Sequence, residues 1–294
     1  MSLQSKEGCM KTIVRFCINQ IPSIETILKE WHIPYKAYND TVQMDGRSSH
    51  YNWWIFTLEK DSPAYQAILN ELAEQGDDAA SIHASLVFTK KEIESAEWLN
   101  VRTTCMKVDT DVYQLSFATC GNPIKRQCWA RHRISPMYCD KRIKWGNRHF
   151  FYSAYYYGFT ELFCSEYAKE LLQKGGFPLA FESLLRSKPP HETLPDVYHI
   201  IPCNTLPVEA MLTDDLKVQS DCPVCGKKTY ELTEDAQLTV DRRYLNSDAL
   251  IYGTPNMFGP GWAASACIIS QAGRRYLIEK GMDKGLRFIP VNVL

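Results

Sequence analysis

The first part of the chain alternates between the hydrophobic period of a strand and that of a helix. Thr12–Ile18 is rich in β-branched and aromatic residues, a composition that favours a strand. The apolar residues that follow recur at the spacing of one helix face: Ile24, Ile27, Leu28 and Trp31. Pro34 ends this helix, because proline lacks the N–H that a further helical turn requires.

A hairpin is predicted next. The segments 35–44 and 48–58 are both rich in β-forming residues, and Asp45-Gly46 stands between them. This dipeptide is a strong signal for a two-residue turn, since glycine adopts a positive φ at no steric cost.

A second helix and a further strand complete the first domain. Ser62 is a suitable helix cap, Pro63 suits the first helical position, and Gly76 ends the helix. Residues 80–88 predict a strand. The order β-α-β-β-α-β over residues 10–90 predicts a ferredoxin-like domain, in which two helices cover one face of the sheet and the other face is open.

A capping box follows the last of these strands. Thr89 and Glu92 have the spacing at which each side chain satisfies a free backbone N–H at the start of a helix. The predicted short helix runs through Ala96, Trp98 and Leu99. We place a domain boundary in this region, which gives a first domain over residues 10–90 and a second over residues 98–294.

The second domain contains an internal repeat. Leu162–Ser165 precedes a helical segment that ends at Gly176, and Cys267–Ser270 precedes one that ends at Gly281. Each predicts a strand, a serine cap, a helix and a glycine that ends it. The two units extend over about residues 112–185 and 215–294. We therefore expect a mixed α+β fold for the whole chain.

The composition is that of a folded globular chain. Apolar residues make up 45% and charged residues 23% of the 294 positions, near the average for folded domains. The formal net charge is -1, so the charge as a whole points to neither nucleic acid nor an anionic membrane. Residues 1–20 lack a continuous apolar segment of signal-peptide length, and no apolar stretch reaches the length of a membrane span. We expect a cytoplasmic protein, whose eleven cysteines are reduced thiols or metal ligands.

The strongest chemical signal is the turn Cys222-Pro223-Val224-Cys225-Gly226. Two thiolates at this spacing reach one tetrahedral zinc ion, and the glycine relieves the tight turn. The turn therefore predicts a zinc knuckle. Two alternatives stay open: a degenerate knuckle that is held by hydrogen bonds and packing alone, and a redox-active cysteine pair. The redox pair lacks the strand-to-helix setting of a thioredoxin-like unit.

The repeat supplies a third candidate ligand. The first unit carries Phe117-Ala118-Thr119-Cys120-Gly121, the same frame with phenylalanine in place of the first cysteine. The candidate metal ligands are thus Cys222, Cys225 and Cys120. A structural zinc site needs a fourth ligand. The candidates for it are Cys128, His132, Cys139 and Cys203.

These motifs resemble the bacterial double-CXXCG proteins. Those proteins carry Cys-x-x-Cys-Gly twice and a Trp-Gly-x-Arg segment, here Trp145–Arg148. They close with a serine, a helix and Gly-Leu-x-Phe-x-Pro-Val, here within Ser270–Val291. The resemblance covers about residues 98–294. Phe117 departs from the pattern, so the two turns alone do not supply four thiolates.

The resemblance also implies a function. Some members of the group look like immunity proteins that bind and mask a bacterial toxin. It implies that this chain binds a partner protein, with a toxin-like protein as the partner class. Zinc thiolates would then stabilise the fold without taking part in chemistry, because metal-binding energy becomes folding energy.

A basic segment between Lys125 and His149 is a second candidate site. It holds eight Lys and Arg residues and one acid, Asp140. Aromatic residues lie among them at Trp129, Tyr138 and Trp145. Candidate contacts to an anion are Arg131, Arg133, Lys141, Arg142, Lys144 and Arg148.

Three interpretations of this basic segment are open. Basic and aromatic residues together can hold phosphates and stack bases, so nucleic acid is one predicted partner. An acidic protein surface is another. The third is a solvated strand, because residues 142–145 alternate between basic and apolar.

The remaining motifs point away from catalysis. The loop 253–262 is rich in glycine, proline and aromatic residues, and it is either a structured connection or the wall of a ligand pocket. The sequence contains no nucleophile elbow, metalloprotease helix, phosphate loop or dinucleotide fingerprint. We predict a non-catalytic protein-interaction protein, immunity-like by resemblance. The alternative is a nucleic-acid-binding module that uses residues 125–149.

Overall fold

The structure of the chain is a computed structural model. It describes residues 10–44, 47–60, 62–76, 80–103, 112–114, 117–118, 132–133, 136–140, 143–152, 162–212, 216, 218–222, 226, 228–230, 237–255, 257–258 and 265–294. The described residues 10–89 form one compact unit, and those from residue 90 onward form a second. Both units mix helices with sheets, so the predicted α+β class is confirmed.

The first unit is a four-stranded antiparallel sheet with two helices. Its elements are β1 (Lys11–Asn19), α1 (Pro22–Glu30), β2 (Tyr35–Met44), β3 (Arg47–Glu59), α2 (Pro63–Gln75) and β4 (Ala80–Val87). The strand order is β2-β3-β1-β4, and each neighbouring pair is antiparallel. This order supports the ferredoxin-like assignment, which stays a prediction. The turn Asp45-Gly46 lies outside the described residues.

The bounds of α2 are those that the sequence predicts. Ser62 Oγ accepts a hydrogen bond from the N–H of Tyr65 at 3.2 Å, and Pro63 is the first helical residue. Gly76 ends the helix with a φ of +88°, a conformation that residues with a Cβ rarely adopt. Local capping chemistry therefore sets both ends of this helix.

Both helices pack on one face of the sheet. The apolar cluster that they form with the sheet includes Val14, Phe16, Ile18, Ile24, Leu28, Trp54, Phe56, Ile68 and Leu72. In β1 the buried members occupy alternate positions, as the period of a strand requires. The side chains between them therefore point to the opposite face.

The second unit holds several smaller sheets. Its helices and longer strands are α3 (Lys90–Ser95), β5 (Trp98–Thr103), α4 (Glu166–Lys174), β12 (Leu179–Leu185), β13 (Thr193–Pro202), β19 (Cys267–Ser270), α5 (Gln271–Glu279) and β20 (Leu286–Pro290). Its shorter strands are β6 (Val112–Gln114), β7 (Phe117–Ala118), β8 (His132–Arg133), β9 (Met137–Cys139), β10 (Phe150–Tyr152), β11 (Leu162–Cys164), β14 (Met211–Leu212), β15 (Val218–Asp221), β16 (Lys228–Tyr230), β17 (Thr239–Val240), β18 (Ile251–Gly253) and β21 (Asn292–Val293). The larger sheets have the orders β10-β11-β13-β12-β9-β6 and β18-β19-β5-β20.

The region after α3 differs from the prediction. A helix through Ala96, Trp98 and Leu99 is wrong, because the last two residues begin β5. Leu99 pairs with Ile269 on β19 and with Pro290 on β20, so β5 lies between two strands from the end of the chain. Trp98 and Leu99 are buried on opposite faces of β5. Pairing with distant strands therefore outweighs the local helix signal here.

The two segments of the predicted repeat have matching arrangements. The first runs β10-β11-α4-β12 and the second runs β18-β19-α5-β20. β13 lies between β11 and β12 in one sheet, and β5 lies between β19 and β20 in the other. β13 follows its segment in the chain, whereas β5 precedes its segment. These correspondences support the internal repeat, which stays a prediction.

Serine caps begin both helices of these segments. Ser165 Oγ accepts a hydrogen bond from the N–H of Ala168, and Ser270 Oγ accepts one from the N–H of Gly273, both at 3.2 Å. These caps confirm the predicted helix starts at both serines. Each oxygen satisfies an N–H that has no partner within its own helix.

The two helical segments contact each other through an aromatic side chain. The hydroxyl of Tyr276 on α5 donates to the backbone O of Leu171 on α4 at 2.7 Å. The same ring packs against Phe177, with 5.5 Å between ring centroids. At Gly175 an added Cβ would lie 2.6 Å from a carbon of this ring. Glycine at that position therefore permits the close approach of the two segments.

Candidate functional site

The face of the first sheet that lies away from α1 and α2 carries a distinct set of side chains. In β1 this face includes Arg15 and Cys17, which lie between the buried positions. Ile55 on β3 is the register partner of both Cys17 and Lys36. One step along, Trp53 pairs with Asn19 and with Tyr38. We call Arg15, Cys17, Lys36, Tyr38, Trp53 and Ile55 the open-face patch.

The open-face patch combines aromatic area with positive charge. Tyr38 is 60% exposed. Arg15 and Lys36 are exposed, and within the described residues neither forms an ion pair. Lys11, at the edge of the same face, is already paired with Glu59 at 3.0 Å.

The helices of the first unit carry the opposite charge. Four glutamates lie on α1 and α2 against one lysine: Glu25, Glu30, Glu71 and Glu74 against Lys29. The side chain of Lys29 is held by Glu25 at 2.8 Å. Among the described side chains, the helices of the first unit and its open-face patch therefore differ in sign of charge.

The cysteine turn lies between β15 and β16 in the second unit. These strands are antiparallel, and Asp221 pairs with Lys228 across them. Cys222 is 1% exposed, and its backbone O accepts a hydrogen bond from the N–H of Gly226 at 2.8 Å. Gly226 has a φ of +66°, as the predicted role of glycine in this turn requires. Cys225, which would complete the pair, lies outside the described residues.

Few of the other candidate zinc ligands can be located. Cys120 and Cys128 lie outside the described residues, and only the backbone of His132 is described, in β8. Within the part of the chain that the structure describes, no three His, Cys, Asp or Glu side chains form a metal-binding group.

Two candidates for the fourth ligand differ in their surroundings. Cys139 is enclosed in an apolar cluster of the six-stranded sheet. Cys203 is exposed. It stands between Pro202 and Thr205, two residues that line the same cavity as Gly226. Cys203 is thus the described candidate whose chain neighbourhood lines the same cavity as the cysteine turn.

The basic segment is described only in part. Arg131, Lys141 and Arg142 lie outside the described residues. Arg133 belongs to β8, where its backbone pairs with Phe117. Lys144 and Arg148 are exposed, and each contacts other groups of the chain. The structure therefore does not bring the six candidate cations together into one described surface.

The predicted strand over residues 142–145 is wrong, since residues 143–145 belong to no strand. The indole N–H of Trp145 donates to the backbone O of Asp196 at 3.0 Å. The N–H of Arg148 donates to the O of Trp145 at 3.1 Å, and Gly146 between them has a φ of +61°. The Trp-Gly-x-Arg segment is a turn, because a left-handed glycine and an indole anchor interrupt the alternation.

One serine and one histidine come close enough to resemble a catalytic pair. His149 Nδ1 lies 3.2 Å from Ser165 Oγ. Ser165 is 3% exposed, and its oxygen already caps α4. Ser270 makes the matching cap in the second segment without a histidine beside it. Burial lowers the pKa of His149, which favours the neutral ring. The contact is therefore explained by helix capping.

A cavity of about 670 Å³ opens beside the cysteine turn. Gly226 of the turn lies on its wall, and Lys228 and Tyr230 of β16 line it next. Thr229 between these two is fully buried, so Lys228 and Tyr230 share the face of β16 that looks into the cavity. Lys228 Nζ is 3.6 Å from Asp221, and both side chains are about half exposed.

The loop after β18 forms another wall of this cavity. Thr254 joins the loop to the start of β19: its N–H donates to the O of Ala266 at 2.9 Å, and its Oγ1 accepts from the N–H of Ala266 at 2.8 Å. The N–H of Tyr230 donates to the O of Met257 at 2.7 Å. Gly253 packs so closely on Pro202 that an added Cβ would lie 3.2 Å from the proline Cβ. Of the two interpretations of the loop 253–262, a pocket wall thus has support at its described residues.

Lys228 and Tyr230 are site residues that the sequence pattern does not reveal. They belong to a strand of three residues, which is too short for a period to be recognised. The weak signal available was their position directly after a predicted metal turn. The open-face patch has a clearer signal in β1, where Arg15 stands between the apolar residues Val14 and Phe16, but residues 53–56 of β3 are all apolar and give no such signal.

The chain matches no protein-family model, no curated protein sequence and no solved structure. The resemblance to the double-CXXCG proteins therefore rests on its motifs and stays a prediction. Among the described residues, no helix is both long enough and apolar enough to cross a membrane.

Proposed function

We propose that this chain is a non-catalytic binding protein, and that the open-face patch of its first unit takes up a partner protein. The segregation of side chains on the first sheet carries this proposal. Tyr38 and Trp53 supply aromatic area beside the two exposed cations Arg15 and Lys36. Tyrosine, tryptophan and arginine are the residue types enriched at protein interfaces.

The charge of the patch favours an acidic partner surface. Arg15 and Lys36 have no described ion partner, so a partner carboxylate can pair with them without displacing an existing one. Opposite charges across an interface raise the rate of association and exclude wrong partners. The resemblance of the second unit to immunity-like proteins makes a bacterial toxin the partner class to test first.

The first prediction concerns this patch. Tyr38→Ala and the double variant Arg15→Glu/Lys36→Glu are each expected to weaken partner binding by about tenfold or more, since aromatic anchors and desolvated charges dominate interface energies. Calorimetric titration with the toxin-like product of an adjacent gene would measure the dissociation constant. Far-UV circular dichroism of each variant would show that the first unit stays folded.

Matched variants on the helices of the first unit serve as controls. Trp31→Ala removes an aromatic side chain that is 50% exposed, and Lys29→Glu reverses a charge on α1. Both are expected to bind like the wild type. Equal weakening by patch and helix variants would overturn the assignment of the surface. If the chain binds single-stranded DNA in a salt-sensitive way and the patch variants lose this binding, the partner of the patch is nucleic acid and not a protein.

A structural zinc ion is the second part of the proposal. Cys222, Cys225 and Cys120 would hold it. We assign Cys203 as the fourth ligand because it is exposed and follows Pro202, which lines the same cavity as Gly226 of the turn. The buried position of Cys222 and the left-handed Gly226 fit this donor set. When bound, the ion would join the turn to the rest of the second unit and would stabilise its fold.

The second prediction is that the purified chain contains about one zinc ion, as a tetrahedral four-ligand site requires. Cys222→Ser and Cys203→Ser are expected to lose the metal and to lower the melting temperature. Inductively coupled plasma mass spectrometry of protein purified without a chelator measures the content. Cys17→Ser, in the first unit, is the control and should keep the metal. Wild-type protein without zinc would leave the degenerate knuckle as the better description.

A further inference from the structure

The cavity beside the cysteine turn is bounded by segments that are hydrogen-bonded to one another. Its volume of about 670 Å³ lies within the range of small-molecule pockets. Backbone hydrogen bonds join its walls to one another. The N–H of Gly253 donates to the O of Asn204, and the N–H of Leu206 donates to the O of Gly253, both at 2.8 Å. Together with the bonds of Thr254 and Tyr230, these contacts join the described walls of the cavity to one another.

The described residues that line the cavity supply one charged group, several hydroxyl groups and apolar area. Lys228 is the one charged side chain among the described residues that line the cavity. Hydroxyl groups are supplied by Thr205, Tyr230 and Ser265. Apolar wall area comes from Ile201, Pro202, Val208, Pro255 and Met257. Such walls suit a ligand with one anionic group and an apolar body, because a few polar groups orient a ligand that apolar contacts hold.

The ammonium group of Lys228 is available to such a ligand. Its contact with Asp221 spans 3.6 Å between two side chains that are 50% and 55% exposed, and exposed pairs of this kind contribute little to stability. A single cation matches a single negative charge. Di- and triphosphates carry several charges and are usually held by several donors and cations.

From these observations we infer that the cavity binds a small monocarboxylate with an apolar body. The carboxylate pairs with Lys228. The apolar body packs on Met257 and Val208. This inference does not depend on the open-face patch, and its test leaves the first unit unchanged.

The third prediction uses 4-phenylbutanoate as the probe and its primary amide as the neutral counterpart. Protein labelled with ¹³C-methyl methionine would report binding at Met257, whose signal is assigned with Met257→Leu. The acid is expected to shift the Met257 signal in a saturable way at millimolar concentration. The amide, without the charge-assisted contact, is expected to bind about tenfold more weakly.

Two lysine variants separate this contact from a general effect of charge. Lys228→Gln is expected to make the acid bind as weakly as the amide. Lys174→Gln is the matched control, because Lys174 lies 3.5 Å from Glu170 in a similarly exposed pair on α4. The affinity of Lys174→Gln for the acid should equal that of the wild type. An unchanged Met257 signal would overturn the inference, and so would equal affinities of acid and amide or equal effects of the two variants.

Discussion

Replacing Trp98 by alanine is expected to lower the free energy of unfolding of the second unit by about 3–5 kcal/mol. Trp98 is 1% exposed and begins β5, the strand that lies between β19 and β20. Its ring lies 5.4 Å from that of Tyr252. It belongs to an apolar cluster with Phe258 and Ile268. Removing a large aromatic ring from a close-packed interior leaves a cavity that the neighbours fill only in part.

Hydrogen exchange followed by mass spectrometry would assign the loss to the correct unit. Peptides from β19 and β20 should exchange faster in Trp98→Ala, whereas peptides from β1 and β3 should be unchanged. Trp31→Ala is the control, since that side chain is 50% exposed. It should change stability by no more than about 0.5 kcal/mol. Equal stability of Trp98→Ala and the wild type would contradict the central position of β5.

Local signals predicted those elements whose ends depend on neighbouring residues. Ser62 and Gly76 set the bounds of α2, and Ser165 and Ser270 begin α4 and α5. Each of these residues acts within one helical turn, so the sequence alone contains the needed information. Among the described strands of the first unit, only the pairing of β2 with β3 joins strands that follow each other in the chain, because β1 pairs with β3 and β4.

Elements whose partners are distant were not predictable in the same way. The capping box ahead of Trp98 begins a helix, but it does not show where the helix ends. The strand character of β5 depends on Ile269 and Pro290, which lie near the end of the chain. The strand that the alternation in residues 142–145 predicts is wrong for a related reason. Trp145 is held through its indole N–H, which donates to the backbone O of Asp196 in β13, and residues 143–145 themselves belong to no strand.

The candidate site could be predicted to a similar extent. The cysteine turn can be recognised in the sequence because two thiolates that bind one zinc ion need a short, defined spacing. The cavity next to it cannot be recognised in this way, since its walls come from β13, β16 and the loop after β18. Lys228 and Thr254 acquire a common role only when those segments meet. A pocket assembled from separate segments has no sequence motif of its own.

The residue that donates its N–H to the serine cap is alanine in the first segment and glycine in the second, and this difference gives the last prediction. Ala168 and Gly273 each donate the N–H that a serine cap accepts. Both residues are buried. A Cβ at Gly273 would lie 2.7 Å from Cγ1 of Ile269 and 2.9 Å from the backbone O of Leu250. That oxygen already accepts from the N–H of Ser270 at 2.9 Å. It cannot move away without weakening the start of α5.

Gly273→Ala is therefore expected to destabilise the second unit by about 1–3 kcal/mol. Helix propensity alone would make Gly273→Ala more stable by about 1 kcal/mol. A loss of stability therefore indicates crowding of the added Cβ, and a gain indicates that propensity dominates. Urea unfolding, followed by circular dichroism, would measure the free energy. Ala168→Gly is the reciprocal variant and should lose about 1–2 kcal/mol, through helix propensity and through the loss of a buried methyl group. A more stable Gly273→Ala protein would mean that α5 starts with the same clearance as α4, and that the close contact with Leu250 does not constrain the second segment.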